Sequence, residues 1–310
     1  MTTDSTDVLT SLTTIRDYIR WAASRFTAAG LFFGHGNTTA LDEAAALVLH
    51  TLHQPYDLVD YYVQAHLTRT ERQQLLSVIE LRISSRKPTA YITNDARFAG
   101  LSFYVDERVL VPRSSIAEMI QYQFAPWVVA EQVTRVLDLC TGSACIAIAC
   151  AYAFPDAQID AVDLSTDALE VAAINVAKHE LEGDVQLWTS DLFAALPPAQ
   201  YDIIVSNPPY VAISEWQQLP AEFHAEPEMG FTGGETGLDI VLKILVQARD
   251  FLSPLGILVV EVGSSAETLQ STFPSVPFFW LELERGADGV FLLTAEQVAQ
   301  YHSLFKEALV

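Results

Sequence analysis

A short apolar run that ends in Asn-Pro-Pro-Tyr carries the residues best suited to chemistry. Residues 201–206 have the apolar character of a buried strand in a parallel sheet, and Asn207-Pro208-Pro209-Tyr210 follows directly. Proline lacks an N–H and disfavours a helical residue before it, so the chain stays extended beyond the strand. The Asn207 oxygen and the Pro208 carbonyl then form two adjacent acceptors, which match the two N–H groups of a planar amino or carboxamide group. The ring of Tyr210 could stack on that group. On its own, the motif is equally consistent with a strand that ends in a proline-rich turn.

Earlier strand ends carry small or acidic residues that suit a nucleoside ligand. Asp138 lies just before the small-residue turn Cys140-Thr141-Gly142-Ser143-Ala144, where a ligand can approach the backbone and a helix N-terminus favours negative charge. The next strand ends at Asp163, which can accept hydrogen bonds from two ribose hydroxyls. Ser165 is the better N-cap for the following helix, which predicts that Asp163 is free for this role.

The third strand is followed by Asp191, which can accept a hydrogen bond from an exocyclic amine such as that of adenine. Leu192 and Phe193 could pack on the same ring. Ligands of open parallel sheets bind at the carboxyl edge, so these strand ends together predict an adenosine-containing ligand beside a group held by Asn207. The nicotinamide pattern G-x-G-x-x-G is absent, since Gly142 is the one glycine of its turn.

Composition excludes several classes of protein. Half of the 310 residues are hydrophobic, but no apolar run approaches the roughly 20 residues of a membrane span, the longest being Cys145 to Phe154. The polar start, Met1 to Asp7, is unlike a signal peptide. Cys140, Cys145 and Cys150 lack the His or fourth Cys of a zinc set, which favours reduced core residues and no metal site. These features predict a cytoplasmic protein that does not contact a membrane.

The charge is unevenly distributed along the chain. Residues 1–110 carry 10 Lys and Arg against 12 Asp and Glu, whereas residues 111–310 carry 7 against 27. An acidic surface disfavours a nucleic-acid substrate, whose backbone needs basic residues. It either steers a basic protein partner or serves solubility. The single basic cluster is either a solvated helix face or a contact surface; it comprises Arg69, Arg72, Arg82, Arg86, Lys87 and Arg97.

The first third of the chain has mostly helical periodicity. Apolar residues at helical spacing predict helices over residues 15–30, 41–53 and 57–65, and the capping pair Thr68 and Glu71 opens a fourth helix to about Ser84. Residues 103–105 and 109–111 are typical of strands, with Gly100 as a turn, and a helix is expected from Pro112 to about Phe124. We therefore predict a helical N-terminal domain over residues 1–88, a β-hairpin linker over residues 89–112 and a catalytic domain over residues 113–310.

From Val133 strands and helices alternate, which indicates an α/β fold with a doubly wound, mostly parallel sheet. Strands are predicted over residues 133–139, 158–162, 185–188, 201–206 and 257–262, and helices over residues 145–153, 167–179, 238–251 and 266–272. The chain ends differently, because Glu284-Arg285-Gly286-Ala287-Asp288-Gly289 is a hairpin signal between strands at 279–283 and 290–294. The last strand should then be antiparallel. A capping box of Thr294 and Gln297 opens a C-terminal helix.

These motifs, in this order, resemble the class I S-adenosylmethionine-dependent methyltransferases, whose seven-stranded sheet also has an antiparallel last strand. The helical N-terminal domain and hairpin resemble the protein-glutamine N5-methyltransferases of that class. Residues 90–94 (Ala-Tyr-Ile-Thr-Asn) and 103–114 resemble the branch that modifies the large-subunit ribosomal protein L-three (uL3). The sister branch, which acts on peptide-chain release factors, typically has Arg-Pro-Glu-Thr-Glu where this chain has Pro112-Arg113-Ser114-Ser115-Ile116.

The resemblance implies a role for each residue of the motifs. Asn207, Pro208 and Tyr210 would be catalytic, and Asn207 to Tyr210, including Pro209, would hold the substrate glutamine amide. S-adenosylmethionine would be bound by Asp138, Cys140, Thr141, Gly142, Ser143, Ala144, Asp163, Asp191, Leu192 and Asn207. Cys140 and Ala144 stand where the family has further glycines, and the Ala144 methyl is expected close to the methionine part of the cofactor.

The choice of substrate is left to surfaces outside the motif. The loop Ser214 to Gly237 holds Glu215, Glu222, Glu226, Glu228 and Glu235 without Lys or Arg, which predicts an acidic rim facing a basic ribosomal protein. The principal alternative is a release-factor glutamine methyltransferase. An adenine N6-methyltransferase would use the same Asn-Pro-Pro-Tyr motif but fits the acidic charge poorly. A nicotinamide dehydrogenase and a non-enzymatic protein on the same fold fit the motifs less well.

Overall fold

The computed structural model describes residues 5–58, 61–283 and 289–309. The chain forms two compact units. We call Met1–Ala96 with Pro220–Ala225 the helical unit, and Arg97–Leu219 with Glu226–Val310 the sheet unit. The predicted functional boundaries at residues 88 and 112 stay predictions. Pro220–Ala225 lies within the predicted catalytic domain, but it packs with the helical unit because Glu222 binds Arg86 at 2.8 Å and the ring of Phe223 lies 5.3 Å from that of Phe32.

Helices in the helical unit bury one apolar face against each other. They are α1 (Ser5–Ser11), α2 (Ile15–Ala28), α3 (Ala40–Thr51), α4 (Arg69–Ser85) and α5 (Thr89–Thr93). The predicted capping box of Thr68 and Glu71 is confirmed at the start of α4. Buried residues of α2 recur at helical spacing, from Ile15 to Tyr18, Ala22 and Phe26.

One predicted helix is wrong. Within residues 57–65, a single 3₁₀ turn at Tyr62–Gln64 is observed, while Val59 and Asp60 lie outside the described residues. Tyr61 and Tyr62 are 73% and 49% exposed. A short helix needs a packed apolar face to be stable, and these side chains do not provide one.

Much of the predicted basic cluster holds the helical unit together. Arg82 is fully buried and binds Glu43 at 2.8 Å, and Arg86 binds Glu222 at the same distance. Arg72 donates to the Leu9 carbonyl at 2.8 Å. These three arginines therefore lie on neither a free helix face nor a free contact surface.

The sheet unit contains the predicted doubly wound sheet. Its strands are β3 (Arg135–Leu139), β4 (Gln158–Asp163), β5 (Val185–Thr189), β6 (Tyr201–Ser206), β7 (Leu252–Glu261), β8 (Phe279–Trp280) and β9 (Val290–Thr294), in the order β5-β4-β3-β6-β7-β9-β8. β3 to β7 pair in parallel. β9 runs antiparallel to both β7 and β8, which confirms the predicted last strand. The predicted connection between β8 and β9 falls on residues 284–288, which lie outside the described residues.

Helices cover both faces of this sheet. They are α6 (Ile116–Gln121), α7 (Cys145–Ala153), α8 (Thr166–Lys178), α9 (Ile213–Trp216), α10 (Asp239–Gln247), α11 (Ala266–Thr272) and α12 (Ala295–Ala308). Successive strand residues enter different cores: Val136 and Ile203 pack on one face, and Leu137 and Ile204 on the other. The central strands are rich in apolar residues because both faces of the sheet are covered.

The predicted hairpin is present within residues 89–112, with Gly100 in its turn as expected, but its strands lie earlier than residues 103–105 and 109–111. Its strands are β1 (Ala96–Phe98) and β2 (Leu101–Phe103), joined at Ala99 and Gly100, which both have positive φ. That geometry is typical of a tight two-residue hairpin turn. Val105, Val109 and Val111 are buried but irregular. Side chains take the place of a strand partner here, because the Tyr104 N–H donates to Asn175 and the Val111 N–H to Glu226.

Across the described ranges, no helix combines the length and the apolar character needed to cross a membrane.

Candidate active site

A cavity of about 410 Å³ lies at the carboxyl edge of the sheet, a size typical of small-molecule sites. It brings together residues that follow β3, β4, β5 and β6. The predicted site residues that line it are Cys140, Gly142, Asp163, Asp191, Leu192, Asn207 and Pro209. Asp138, Thr141, Ser143, Ala144, Pro208 and Tyr210 are not among the lining residues within the described chain.

The turn after β3 is held in an unusual backbone conformation. Cys140, Gly142 and Ala144 have φ of 59°, 55° and 63°, in the left-handed region that favours glycine. This conformation costs a non-glycine residue about 1–2 kcal/mol, which is a physical reason for the additional glycines of the family. Ala144 is fully buried in the core and outside the cavity lining. The expectation that its methyl lies close to the methionine part of the cofactor stays a prediction.

Asp163 is less free than predicted. Ser165 is indeed the N-cap of α8, since its hydroxyl accepts from the Ala168 N–H. However, Asp163 itself accepts from the Gly142 N–H at 2.8 Å and from the Ser165 N–H at 2.9 Å. A carboxylate offers about four acceptor positions, so two remain for a ligand. Burial raises the pKa of Asp163. Asp163 thus fixes the turn after β3 and also faces the cavity.

Asp138 is a fully buried acid beneath the same turn. Its Oδ2 accepts from the Thr141 hydroxyl at 2.5 Å and from the Ala147 N–H at 3.1 Å. Its Oδ1 has no hydrogen-bond partner among the described residues. Burial raises the pKa of Asp138 to about 7. A buried acceptor without a partner is costly, and a cationic or N–H donor group of a ligand would satisfy it.

The residues after β5 that are predicted to contact the ligand lie partly in the cavity and partly in the core. Asp191 is exposed and lines the cavity together with Leu192. Phe193 was expected to pack on a bound ring, but it is buried against Phe251, with ring centroids 4.7 Å apart. The apolar contact on this side therefore comes from Leu192.

Asn207 to Tyr210 follow the end of β6 without helical or strand structure. Just before them, the Ser206 hydroxyl donates to the Leu139 carbonyl at 2.8 Å and ties β6 to β3. Asn207 and Pro209 line the cavity, whereas Pro208 is buried and Tyr210 is half-buried beside it. Asn207 thus lines the same cavity as Asp163 and Asp191.

Two walls of the cavity were missed in the sequence. One is the irregular segment 107–110, in which Arg108 binds Asp106 and Glu170, each at 2.7 Å. The other follows the Asn-Pro-Pro-Tyr motif and includes Pro227, Met229 and Gly230. The resemblance of residues 103–114 to the family was a usable signal for the first wall. The second lies in the loop Ser214 to Gly237, which is predicted to face the substrate protein, but no local pattern indicates that these residues line the cavity.

The second wall is fixed by a buried ion pair. Arg113 binds both oxygens of Glu226, at 2.7 and 2.9 Å, and the Val111 N–H donates to the same carboxylate at 2.8 Å. The Glu226 side chain is fully buried. Glu222 is also buried, in the helical unit, and paired with Arg86. The predicted acidic rim is therefore wrong for these two residues.

The remaining glutamates of that loop are exposed, namely Glu215, Glu228 and Glu235.

The reduced state predicted for the cysteines is confirmed, since Cys140, Cys145 and Cys150 are all unpaired. Cys145 and Cys150 lie in the core, while Cys140 lines the cavity.

Comparison with known proteins gives a consistent assignment. Residues 124–224, from just after α6 to beyond the Asn-Pro-Pro-Tyr motif, match the family model "Methyltransferase small domain". Two curated proteins named "Ribosomal protein uL3 glutamine methyltransferase", from serogroup A and serogroup B strains of Neisseria meningitidis, are each 50% identical over 288 residues. The match covers 93% of this chain and 95% of each relative.

The chain belongs to the uL3 glutamine methyltransferase family. The class I methyltransferase fold predicted from the sequence is also supported by a solved structure, the hMettl16 catalytic domain in complex with an RNA hairpin of the MAT2A 3'UTR. That structure aligns with a TM-score of 0.50 at 16% identity, covering 89% of this chain and 90% of its own. At this identity the likeness concerns the fold alone.

Proposed function

We propose that this protein transfers a methyl group from S-adenosylmethionine to the side-chain amide nitrogen of a glutamine in ribosomal protein uL3. The observation that carries the proposal is the shared cavity, in which Asn207 lies together with Asp163 and Asp191. The near full-length match to proteins named uL3 glutamine methyltransferases supports it. The cytoplasmic location expected from the sequence stays a prediction.

The residues around the cavity fit such a cofactor. Asp163 has acceptor positions left for ribose hydroxyls, and Asp191 with Leu192 suits an adenine ring and its amino group. The unpaired Asp138 Oδ1 suits a cationic amino group near the turn 140–144. When bound, S-adenosylmethionine supplies a methyl group on a positively charged sulfur and leaves as S-adenosylhomocysteine.

The task of the protein is then to orient a weak nucleophile. A carboxamide nitrogen shares its lone pair with the carbonyl, so it attacks slowly unless it is held in place. Asn207 Oδ1 and the Pro208 carbonyl accept the two amide N–H bonds, which fixes the nitrogen and increases its electron density. Orientation of this kind can lower a barrier by ~7–11 kcal/mol. The amide proton passes to one of these acceptors or to water, and Tyr210 covers the amide plane.

Substrate choice rests on surfaces outside the cavity. Glu222 and Glu226 are buried in ion pairs and cannot attract a basic partner, so steering falls to exposed acids such as Glu228 and Glu235 and to the acidic sheet unit as a whole. Ribosomal proteins are generally basic, so we expect capture of uL3 to weaken as the ionic strength rises. The alternatives are a release-factor glutamine and an adenine amino group.

The test is a reaction with three candidate acceptors in parallel. Purified protein and methyl-labelled cofactor are incubated with uL3, with a peptide-chain release factor and with ribosomal RNA, at low and at moderate salt. Fragmentation mass spectrometry then locates the methyl group. We expect one methyl group on a glutamine side chain of uL3, with less product at the higher salt.

The other acceptors give the contradicting outcomes. Methylation of the release-factor glutamine with soluble uL3 unchanged would place the protein in the sister branch. Label in RNA would favour the adenine reaction. The Asn207→Ala protein serves as the control for label that does not depend on the site.

A further inference from the structure

A buried glutamate adjoins the Asn-Pro-Pro-Tyr motif, and the reaction described above does not use it. Glu261 is the last residue of β7 and only 6% exposed. β7 pairs in parallel with β6, with Val260 opposite Ser206, so Glu261 stands at the same sheet edge as Asn207. A carboxylate in such a position needs hydrogen bonds to offset the loss of water.

Glu261 receives these bonds from two different segments. Its Oε2 accepts from the Ser114 hydroxyl at 2.6 Å and from the Ser115 N–H at 3.2 Å. Its Oε1 accepts from the Tyr210 hydroxyl at 3.4 Å. Burial raises the pKa of Glu261, and the bonds from Ser114 and Ser115 oppose that shift. One side chain thus joins the segment before α6 to the tyrosine of the motif.

The rest of Tyr210 is tightly confined. The Ser265 hydroxyl donates to the Tyr210 carbonyl at 2.7 Å. Gly263 has φ of +42°, and a Cβ added there would lie 2.4 Å from Tyr210 Cε2. The glycine therefore lets the ring approach the chain closely. With the carbonyl and one ring edge fixed, the bond to Glu261 holds the hydroxyl end of the ring.

We propose that Glu261 is a positioning residue for methyl transfer, which holds Tyr210 and the Ser114–Ser115 segment in one arrangement beside Asn207. The proposal rests on the proposed function, because the role of Tyr210 over the acceptor amide is part of it. Glu261 touches neither the substrate nor the cofactor in this role. Its effect on the reaction passes through the hydroxyl of Tyr210.

The test is a double-mutant cycle in kcat. Glu261→Gln, Tyr210→Phe and the double variant are compared with the wild type, and Glu267→Gln, an exposed glutamate of α11, controls for the loss of one charge. Hydrogen bonds to charged groups correspond to roughly 10- to 100-fold in rate, and the 3.4 Å length of the bond from Tyr210 favours the lower end, about 10-fold. We expect Glu261→Gln to lower kcat by about that factor and to leave the cofactor Kd within about threefold. In the Tyr210→Phe background, the same change should lower kcat by less than about threefold.

Other outcomes contradict the proposal. A purely structural role would lower stability and cofactor affinity together, and Glu261→Gln would then lower kcat by the same factor with and without Tyr210→Phe. Such independent effects of the two substitutions on kcat would overturn the proposal. Crystal structures of the wild type and Glu261→Gln supply a readout that does not need activity. An unmoved Tyr210 ring in the variant would also overturn it. If Glu261→Gln does not fold, Ser114→Ala replaces it, with the same expected coupling to Tyr210→Phe. Absence of transfer by the wild type would instead count against the proposed function.

Discussion

Replacing Glu226 by glutamine tests whether the second cavity wall is held by its ion pair. The carboxylate accepts two bonds from Arg113 and one from the Val111 N–H, and its side chain is fully buried. Glutamine has almost the same shape and can keep the bonds made by one oxygen. Its amide nitrogen, however, would face a guanidinium N–H, and two donors cannot bond to each other.

The expected loss of stability follows from these contacts. Removing one partner of a buried ion pair costs about 3–5 kcal/mol, and one charge-assisted hydrogen bond is worth about 1.5–3 kcal/mol. Since glutamine keeps part of the network, we expect Glu226→Gln to lower the free energy of unfolding by about 2–3 kcal/mol. Pro227, Met229 and Gly230 line the cavity directly after Glu226, so cofactor binding should weaken several-fold as well.

Urea denaturation and calorimetric titration with the cofactor measure both effects. The matched control is Glu228→Gln, which removes the same charge from an exposed side chain two residues further on. The control should change stability by less than about 0.5 kcal/mol. Equal effects of the two substitutions, or a Glu226→Gln protein that differs only in the salt dependence of uL3 capture, would refute the structural role and restore the acidic rim.

Three further substitutions test the cofactor side and the motif. Asp163→Ala should weaken cofactor binding by about 1.5–3 kcal/mol, measured by calorimetry, and an unchanged affinity would remove Asp163 from the ribose role. Burial raises the pKa of Asp138 from 3.8 to about 7. Between these pH values the folded protein holds a proton that the unfolded chain has lost. The stability that this proton contributes is therefore lost as the pH rises from about 4 to 7. Over that range, the free energy of unfolding of the cofactor-free wild type should fall by up to about 4 kcal/mol more than that of Asp138→Asn; parallel curves from urea denaturation would contradict this. Gly263→Ala should slow methyl transfer with little change in cofactor affinity, because the added Cβ meets the Tyr210 ring. Gly100→Ala, which also has a positive φ but open space around it, should leave transfer unchanged, and equal rates in the two variants would contradict this.

Much of the sheet could be predicted because its signals are local. β6, β9 and α7 have the bounds expected from the sequence, since each is an apolar run that ends at a turn or capping residue. The N-caps Ser165 and Thr294 were equally local signals, and both are confirmed.

The errors arose where distant residues decide the structure. Residues 103–105 and 109–111 have the apolar alternation of strands. However, the N–H groups of Tyr104 and Val111 donate to the side chains of Asn175 and Glu226, which lie far along the chain. The burial of Glu226 could not be predicted for the same reason, since its partner Arg113 lies 113 residues away. From its charge alone, Glu226 is predicted to be exposed. A contact between two loops leaves no periodic pattern in either.

The most direct test of the central claim is a comparison of Asn207→Ala with the wild type in two assays on the same preparations. The claim is that Asn207 acts on the acceptor amide, while the cofactor is held mainly by residues that follow other strands, such as Asp163 and Asp191. We expect Asn207→Ala to bind S-adenosylmethionine with a Kd within about threefold of the wild type, by calorimetry. Its methyl transfer to uL3 should fall below detection, since the orienting acceptor is worth several powers of ten. Methyl transfer within about tenfold of the wild-type rate would contradict the account.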